Sequence, residues 1–353
     1  MIVDTKVLSE ALEVTKFGLA KKAFIDGMDG YGFYGGNICT CNDEIALTHW
    51  SPINNINANI DAKSLLSILK ESCDKYLNMY CVDSTLHING TSTSARLPLN
   101  QASYIRSYMS NPQVPSFDSD KWRSISSDFV QQAKKALSTV SKNMARPILT
   151  CLYWNNDVLE ASDNIALTHC TLATAHPDAK GILIPAKSAS VLVKFDPTAF
   201  VLADDWVHFK TRQDAIVSCL TFEGVFPDLS KCLSKECTTS IEFPPSFLAM
   251  LKRAGKITPK NDYLEKQARV SISKGTLTVR VQAGKDGEFQ ESCPVNLHDS
   301  LTFLVDPDRL KQFLGESGNY VVGFTTHNEG RSGLLRLESE NMVRMLIVSL
   351  STI

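Results

Sequence analysis

Long apolar runs are missing from this 353-residue sequence. No stretch of about 18 apolar residues occurs, so a membrane-spanning helix is not expected. The opening residues, MIVDTKVLSEAL, carry acids early and hold no compact apolar block, and they do not read as a secretory signal. The default expectation is a cytoplasmic protein. A dominant charge sign is missing too: 36 Lys and Arg stand against 38 Asp and Glu, a net charge of −2. CxxC pairs are absent although there are ten cysteines. The tightest spacing is Cys39-Thr-Cys41, which on a strand puts both side chains on one face. Two small apolar residues in a reduced core explain that pair better than a metal or redox site. No P-loop, HExxH or GxSxG motif appears, and the glycine-rich Gly27–Gly36 stretch reads as a turn between strands. Neither a catalytic site, a metal nor a cofactor is expected.

What the sequence does contain is repetition. NDEIALTHW at 42–50 and SDNIALTHC at 162–170 agree at six of nine positions, 120 residues apart. Two sets of helix starts extend the repeat. VDTKVLSEAL begins at Val3, ISSDFVQQAKKAL at Ile125 and FPPSFLAML at Phe243. Between them, IDAKSLLSIL begins at Ile60, IPAKSASVLV at Ile184 and VDPDRLKQFL at Val305. Asp and Pro favour the cap and first turn of a helix. Elsewhere the period is two: ARVSISKGTLTVRVQA reads as a hairpin turning at Lys274-Gly275, with LNMYCVDSTLHING and VLADDWVHFKT as its counterparts. The expected fold class is α+β, with three tandem domains at 1–115, 116–238 and 239–353. Each is built from two strand-helix-strands units, with polar linkers near Ser110–Asp120 and Ser234–Ser240.

The helical segments share a second property. In 126–144 an apolar stripe of Phe129, Val130, Ala133, Leu137 and Val140 leaves Lys134, Lys135 and Lys142 on the other side. In 245–257, Lys252, Arg253 and Lys256 oppose Phe247, Leu248 and Leu251. Five of the six helices are net positive in a chain that is net negative. Such faces suit a polyanion bound through phosphates, without sequence preference and with steep salt dependence.

Six α+β units in three domains with basic helices resemble a DNA sliding clamp of the bacterial DNA polymerase III beta-subunit type. Local phrases agree. ARPILTCLYW followed by VLEASDNIALTHC is similar to the second domain of such clamps, GILIPAKSASVLV to their Ile-Val-Pro-x-Lys helix start, and LTFEGVFPDLSKCL to their Glu-Gly-x-Phe-Pro-Asp passage. The likeness in layout covers the whole chain. Its departures point to a phage-encoded or otherwise divergent member. The resemblance implies a head-to-tail homodimer that closes a ring around double-stranded DNA, a clamp loader, and a DNA polymerase held by a short peptide in an apolar pocket. The cytoplasmic location would then be at the nucleoid, or in the host cytoplasm for a phage protein.

Carried onto this sequence, the pocket falls on Leu149, Ser162, Leu167, Met345, Leu346, Ile347, Val348 and Leu350. The family's Gly-His-Arg is here Asn164-Ile165-Ala166, and its Met-Pro-Met-Arg-Leu ending is here 346–350, which makes the pocket greasier. The DNA-facing candidates are Lys134, Lys135, Lys142, Lys187, Lys252, Arg253 and Lys256, with Lys22 and Arg146 at equivalent places after the first helix of a repeat. Two rivals stand beside this reading. Asp163, His169 and Cys170 invite a Cys-His-Asp site, but neighbours on a strand point to opposite faces. A non-catalytic docking scaffold of the same fold that does not encircle DNA is the alternative.

Overall fold

The computed structural model describes residues 1–100, 116–117, 120–258, 267–282, 287–297, 299–315, 320–327 and 331–350. Most of the first polar linker expected near 110–120 lies outside them. The chain forms two compact units, one of 1–134, 151–157 and 173–224, the other of 135–150, 158–172 and 225–353.

Helices begin where the caps are. α1 (Thr5–Thr15) starts on Asp4, whose Oδ1 accepts the amides of Lys6 at 2.9 Å and Val7 at 3.3 Å. α2 (Ala62–Glu71) starts on Asp61, which accepts from the Ser64 amide at 2.7 Å. α3 is Phe129–Leu137, α4 Ala186–Leu192, α5 the single turn Ser230–Leu233, and α6 Ser246–Ile257. α7 (Pro307–Leu314) is capped by Asp306, with proline in its first turn. α3 is shorter than the apolar periodicity of 126–144 suggests. The Ser138 and Thr139 hydroxyls bond the Lys135 and Ala136 carbonyls at 2.6 and 2.9 Å, replacing the next helical turn. Lys142 is therefore on the following loop and not on the helix.

In the first unit, a four-stranded antiparallel sheet runs in the order Ile2–Asp4, Tyr76–Val82, Thr85–Asn89, Ser94–Pro98. Its inner face (Leu77, Met79, Leu86, Ile88) packs on Leu8 and Leu12 of α1 and Leu65 and Leu69 of α2. An eight-stranded sheet follows the order Ala58–Asp61, Gly30–Tyr34, Asn37–Cys41, Ile45–Trp50, Ala215–Leu220, Trp206–Thr211, Pro197–Ala203, Arg123–Ser124. Its later strands bury Phe200 and Phe209 against Trp154 and against Phe129 of α3. In the second unit, Val158–Ser162 pairs with Ala166–Thr171, which pairs in turn with Met342–Leu350. That last strand also joins Ser332–Ser339 and Leu301–Val305. Ala268–Ser273, Thr276–Gln282 and Glu288–Pro294 continue one side, and Thr239–Phe243 pairs with Tyr320–His327. The Lys274-Gly275 turn has φ of 50° and 75°, the left-handed pair a two-residue hairpin requires.

The duplicated phrase occupies the same hairpin in both copies, but one residue out of step. In the first copy Asn42 opens the turn, its side chain accepting the Glu44 and Ile45 amides at 2.9 Å, and the strand is Ile45–Trp50. In the second, Asp163 takes that part, accepting from Ile165 and Ala166 at 3.0 and 2.7 Å, and the strand is Ala166–Thr171. The strands are thus 121 residues apart where the letters are 120 apart. A one-residue slip turns every side chain over. Leu47 lies opposite Thr40, whose hydroxyl bonds the Thr15 carbonyl at the end of α1. Leu167 lies opposite Ser162, and the two line one cavity.

Buried His208 sets a pH dependence. Its Nδ1 is 2.7 Å from the Ser218 hydroxyl, and burial pushes its pKa down to about 4. The unfolded chain binds this proton below about pH 6.5 and the folded chain does not until about pH 4, so stability falls as pH drops through that window. The full effect is about 3 kcal/mol. Denaturant unfolding at pH 7 and pH 4.5 checks it. His208→Gln should shrink the difference, with buried His176, also shifted down by burial, contributing the same sign, and an unchanged difference would assign it to other groups.

Candidate functional site

An apolar cavity with a volume of about 260 Å³ lies in the second unit. Its floor is a row across the sheet. Ser162 stands opposite Leu167, Leu167 opposite Met345, and Leu334 opposite Ile347. Leu149, from the turn before the Cys151–Asn155 strand, closes one side, and Pro227, Leu229 and Cys232 close another. Ile165 forms the rim and is 45% exposed. Asn164, Asp228 and Lys235 supply the polar edge.

The Asp163–Ala166 turn is held as a fixed lip. Asp163 bonds its own turn through Oδ1 and pairs with Arg309 of α7 through Oδ2. Ser162 donates its hydroxyl to the Ala166 carbonyl at 2.9 Å and accepts the Asn164 amide at 3.2 Å, so it offers the cavity little unmet polarity. Asn164 has φ of 73°, which asparagine tolerates better than most residues. The Ile347 amide bonds the Ile165 carbonyl at 2.9 Å, tying lip to floor. Across the cavity, Asp228 accepts the Ser230 amide and hydroxyl at 2.9 and 2.8 Å; these bonds hold its carboxyl below the usual range, and it stays anionic at neutral pH.

Five of the residues placed in a pocket from sequence line this cavity together: Leu149, Ser162, Leu167, Met345 and Ile347. Three do not. Leu346 and Val348 alternate with Met345 and Ile347 along one strand and enter the core with Phe303 and Leu335, and Leu350 packs against that core. A strand can give a pocket only every second side chain. Pro227, Leu229, Cys232, Lys235 and Leu334 were not anticipated. The FPDL passage at 226–229 was the signal for the linker wall, but nothing in its letters shows that it folds onto this sheet.

The basic candidates divide by partner. Lys22, Lys134, Lys142, Arg146, Lys252 and Lys256 are exposed and have no ion pair among the described residues. Lys187 is held by Glu44 at 2.9 Å, a hydrogen bond that raises its pKa. Arg253 is clamped by Glu291 through two bonds of 2.8 and 2.6 Å, and Lys135 is half-buried. Of the six helices longer than one turn, α1 carries −1 and the others +1 to +3, together +7 in a chain of −2. The Cys-His-Asp grouping is not assembled. His169 bonds Glu160 at 2.8 Å, Cys170 is buried on the opposite face, and Asp163 belongs to Arg309.

Tandem α+β repeats whose sheets join through equivalent strands, with one helix after each repeat's first strand, define the DNA sliding-clamp fold. The comparisons agree over the full length. The DNA polymerase sliding clamp of Bacillus subtilis superposes with a TM-score of 0.83 at 16% identity, covering 99% of each chain. The DNA polymerase III beta subunit of Thermotoga maritima gives 0.76 at 16% and 99% of each chain. A DnaN sliding clamp from Pseudomonas aeruginosa, solved bound to griselimycin, gives 0.79 at 15% and 99% of each chain. No family model and no curated protein sequence matches the chain.

Proposed function

We propose that this protein is a non-catalytic DNA sliding clamp, a ring-forming processivity factor that encircles duplex DNA and tethers a replicative polymerase through the apolar pocket. The observation that carries this reading is the likeness to sliding clamps over 99% of the chain. Three domains, 1–115, 116–238 and 239–353, account for the repeat. Ile45–Trp50 pairs with Ala215–Leu220, and Ala166–Thr171 with Met342–Leu350. The third equivalent strand, Glu288–Pro294, has a neighbour on one side only among the described residues, and so has Ser94–Pro98. Pairing these two edges between two chains repeats the internal junction twice and closes a homodimer head to tail. The greasier pocket, with Ile165 at its lip, favours a more apolar peptide than the usual clamp motif, and a loader would open the ring.

Imaging of the purified protein with its particle mass tests the assembly. Two-chain rings with a hole wide enough for duplex are expected; a monomer without a ring at every concentration would favour the docking scaffold. DNA contact is tested separately by duplex binding against salt. Changing both Lys252 and Lys256 to Glu should lower affinity and flatten the log–log salt slope by about two. An unchanged slope would remove α6 from the DNA surface.

A further inference from the structure

Three equivalent strand sets differ on their outward faces: Ile2–Asp4, Tyr76–Val82, Thr85–Asn89 and Ser94–Pro98 form the first; Arg123–Ser124, Pro197–Ala203, Trp206–Thr211 and Ala215–Leu220 the second; Thr239–Phe243, Tyr320–His327, Ser332–Ser339 and Met342–Leu350 the third. In the third, linker residues lie directly on the strands. Arg336 donates to the Leu233 and Lys235 carbonyls at 2.5 and 3.3 Å, and a β-carbon at Gly323 would fall 2.5 Å from Cys237 Sγ. In the second, Lys210 donates to the Phe117 carbonyl at 3.0 Å and sits 3.9 Å from that ring's centre. In both, a cation on the third strand donates to the carbonyl of a linker residue. On the first sheet no such contact occurs among the described residues, and large side chains on its outward face are exposed. Ile2, Tyr76, Tyr80 and Val82 are 75, 52, 41 and 44% exposed. Tyr80, His87 and Arg96 form a row across three strands, with the Tyr80 and His87 rings stacked at 5.0 Å. Lys75 lies over the Tyr76 ring. Arg96 is exposed and has no ion pair among the described residues. One carboxylate occupies an outward position on these four strands, that of Asp4, and it is spent capping α1.

We propose that this face is a second docking surface, which takes an acidic segment of a partner protein. The charge balance selects the chemistry. Arg96 and Lys75, with no facing anion, call for carboxylates, and the tyrosine row calls for an aromatic or aliphatic residue between them. The segment's carbonyls would accept from Arg96 and His87, as the linker carbonyls accept from Arg336 and Lys210. The inference rests on the sheet and goes beyond the clamp reading; it needs neither a ring nor DNA.

The test is a displayed library of random twelve-residue peptides, selected on full-length protein carrying Leu167→Asp so that the apolar pocket is blocked. Recovered peptides are then measured on the same protein with Tyr80→Ser or Lys75→Glu added. Both positions are exposed, and thermal midpoints near that of the parent would show that folding is intact. Enriched sequences should combine Asp or Glu with an aromatic residue, and each added change should weaken them at least tenfold. Failure to enrich any sequence overturns the proposal, and so does enrichment of peptides that bind both variants as well as the parent. Sedimentation of the Tyr80→Ser variant in the wild-type background completes it: a dimer that becomes monomeric would assign the face to a second copy of this chain and overturn the partner assignment. An unchanged mass supports it.

Discussion

Replacing Arg344 by methionine should destabilise the second unit by about 3 kcal/mol or more, the largest effect on stability expected from one side chain here. Arg344 sits on the Met342–Leu350 strand and is 6% exposed. One Nη donates to the Gln312 and Phe313 carbonyls at 3.0 and 3.1 Å; the other reaches the Lys135 carbonyl at 3.3 Å and the Ser138 hydroxyl at 3.4 Å. These carbonyls belong to the last turns of α7 and α3, at the negative ends of the helix dipoles, and that of Lys135 also accepts the Ser138 amide and hydroxyl. One guanidinium therefore closes two helix ends. Burial lowers its pKa, but an arginine still stays charged at neutral pH. Methionine fills similar length and returns nothing to the carbonyls. For a unit of this size the loss corresponds to a fall of roughly 6–12 °C in thermal midpoint. Lysine should recover part of it, because it keeps the charge without the fork. A midpoint within a degree of wild type would show that water can replace the guanidinium.

Leu167→Asp should cost the pocket at least a hundredfold in affinity for an apolar peptide, about 2.7 kcal/mol. Leu167 is 7% exposed at the centre of the floor, between Ser162 and Met345, and a carboxylate there meets no partner that could replace its water. Ile165→Asp, at the half-exposed rim, should cost about tenfold, since a charge there keeps its solvent. Polarisation with a labelled apolar peptide selected on the wild-type protein reads both. Equal affinity for Leu167→Asp and wild type would move the binding site off this cavity.

Much of this molecule is legible in its letters. Asp4, Asp61 and Asp306 cap helices where the repeat places helix starts, and Lys274-Gly275 turns the hairpin that period-two alternation suggests. These features are local: a cap or a turn depends on three or four consecutive residues, and the sequence states them directly. Of the eight residues that the resemblance carries to a peptide pocket, five line one cavity. The remaining decisions are tertiary. The same Ile-Ala-Leu-Thr-His appears twice, yet Leu47 faces a helix and Leu167 a cavity, because Asn42 opens one turn and Asp163 the other. Identity of letters carries no information about a one-residue register shift; only the hydrogen bonds of the turn and the neighbouring strand fix it. Arg344 reads in sequence as a surface cation on a strand, and becomes a buried cap because two distant helices end beside it. Leu346 and Val348 were separated from the pocket by pleat parity, which follows from the partner strand's register. The sequence by itself determined which segments are helices, hairpins and repeats, since those are set by contacts within a few residues. The tertiary structure alone decided which face each strand turns to the cavity, because that depends on pairing across more than a hundred residues of chain.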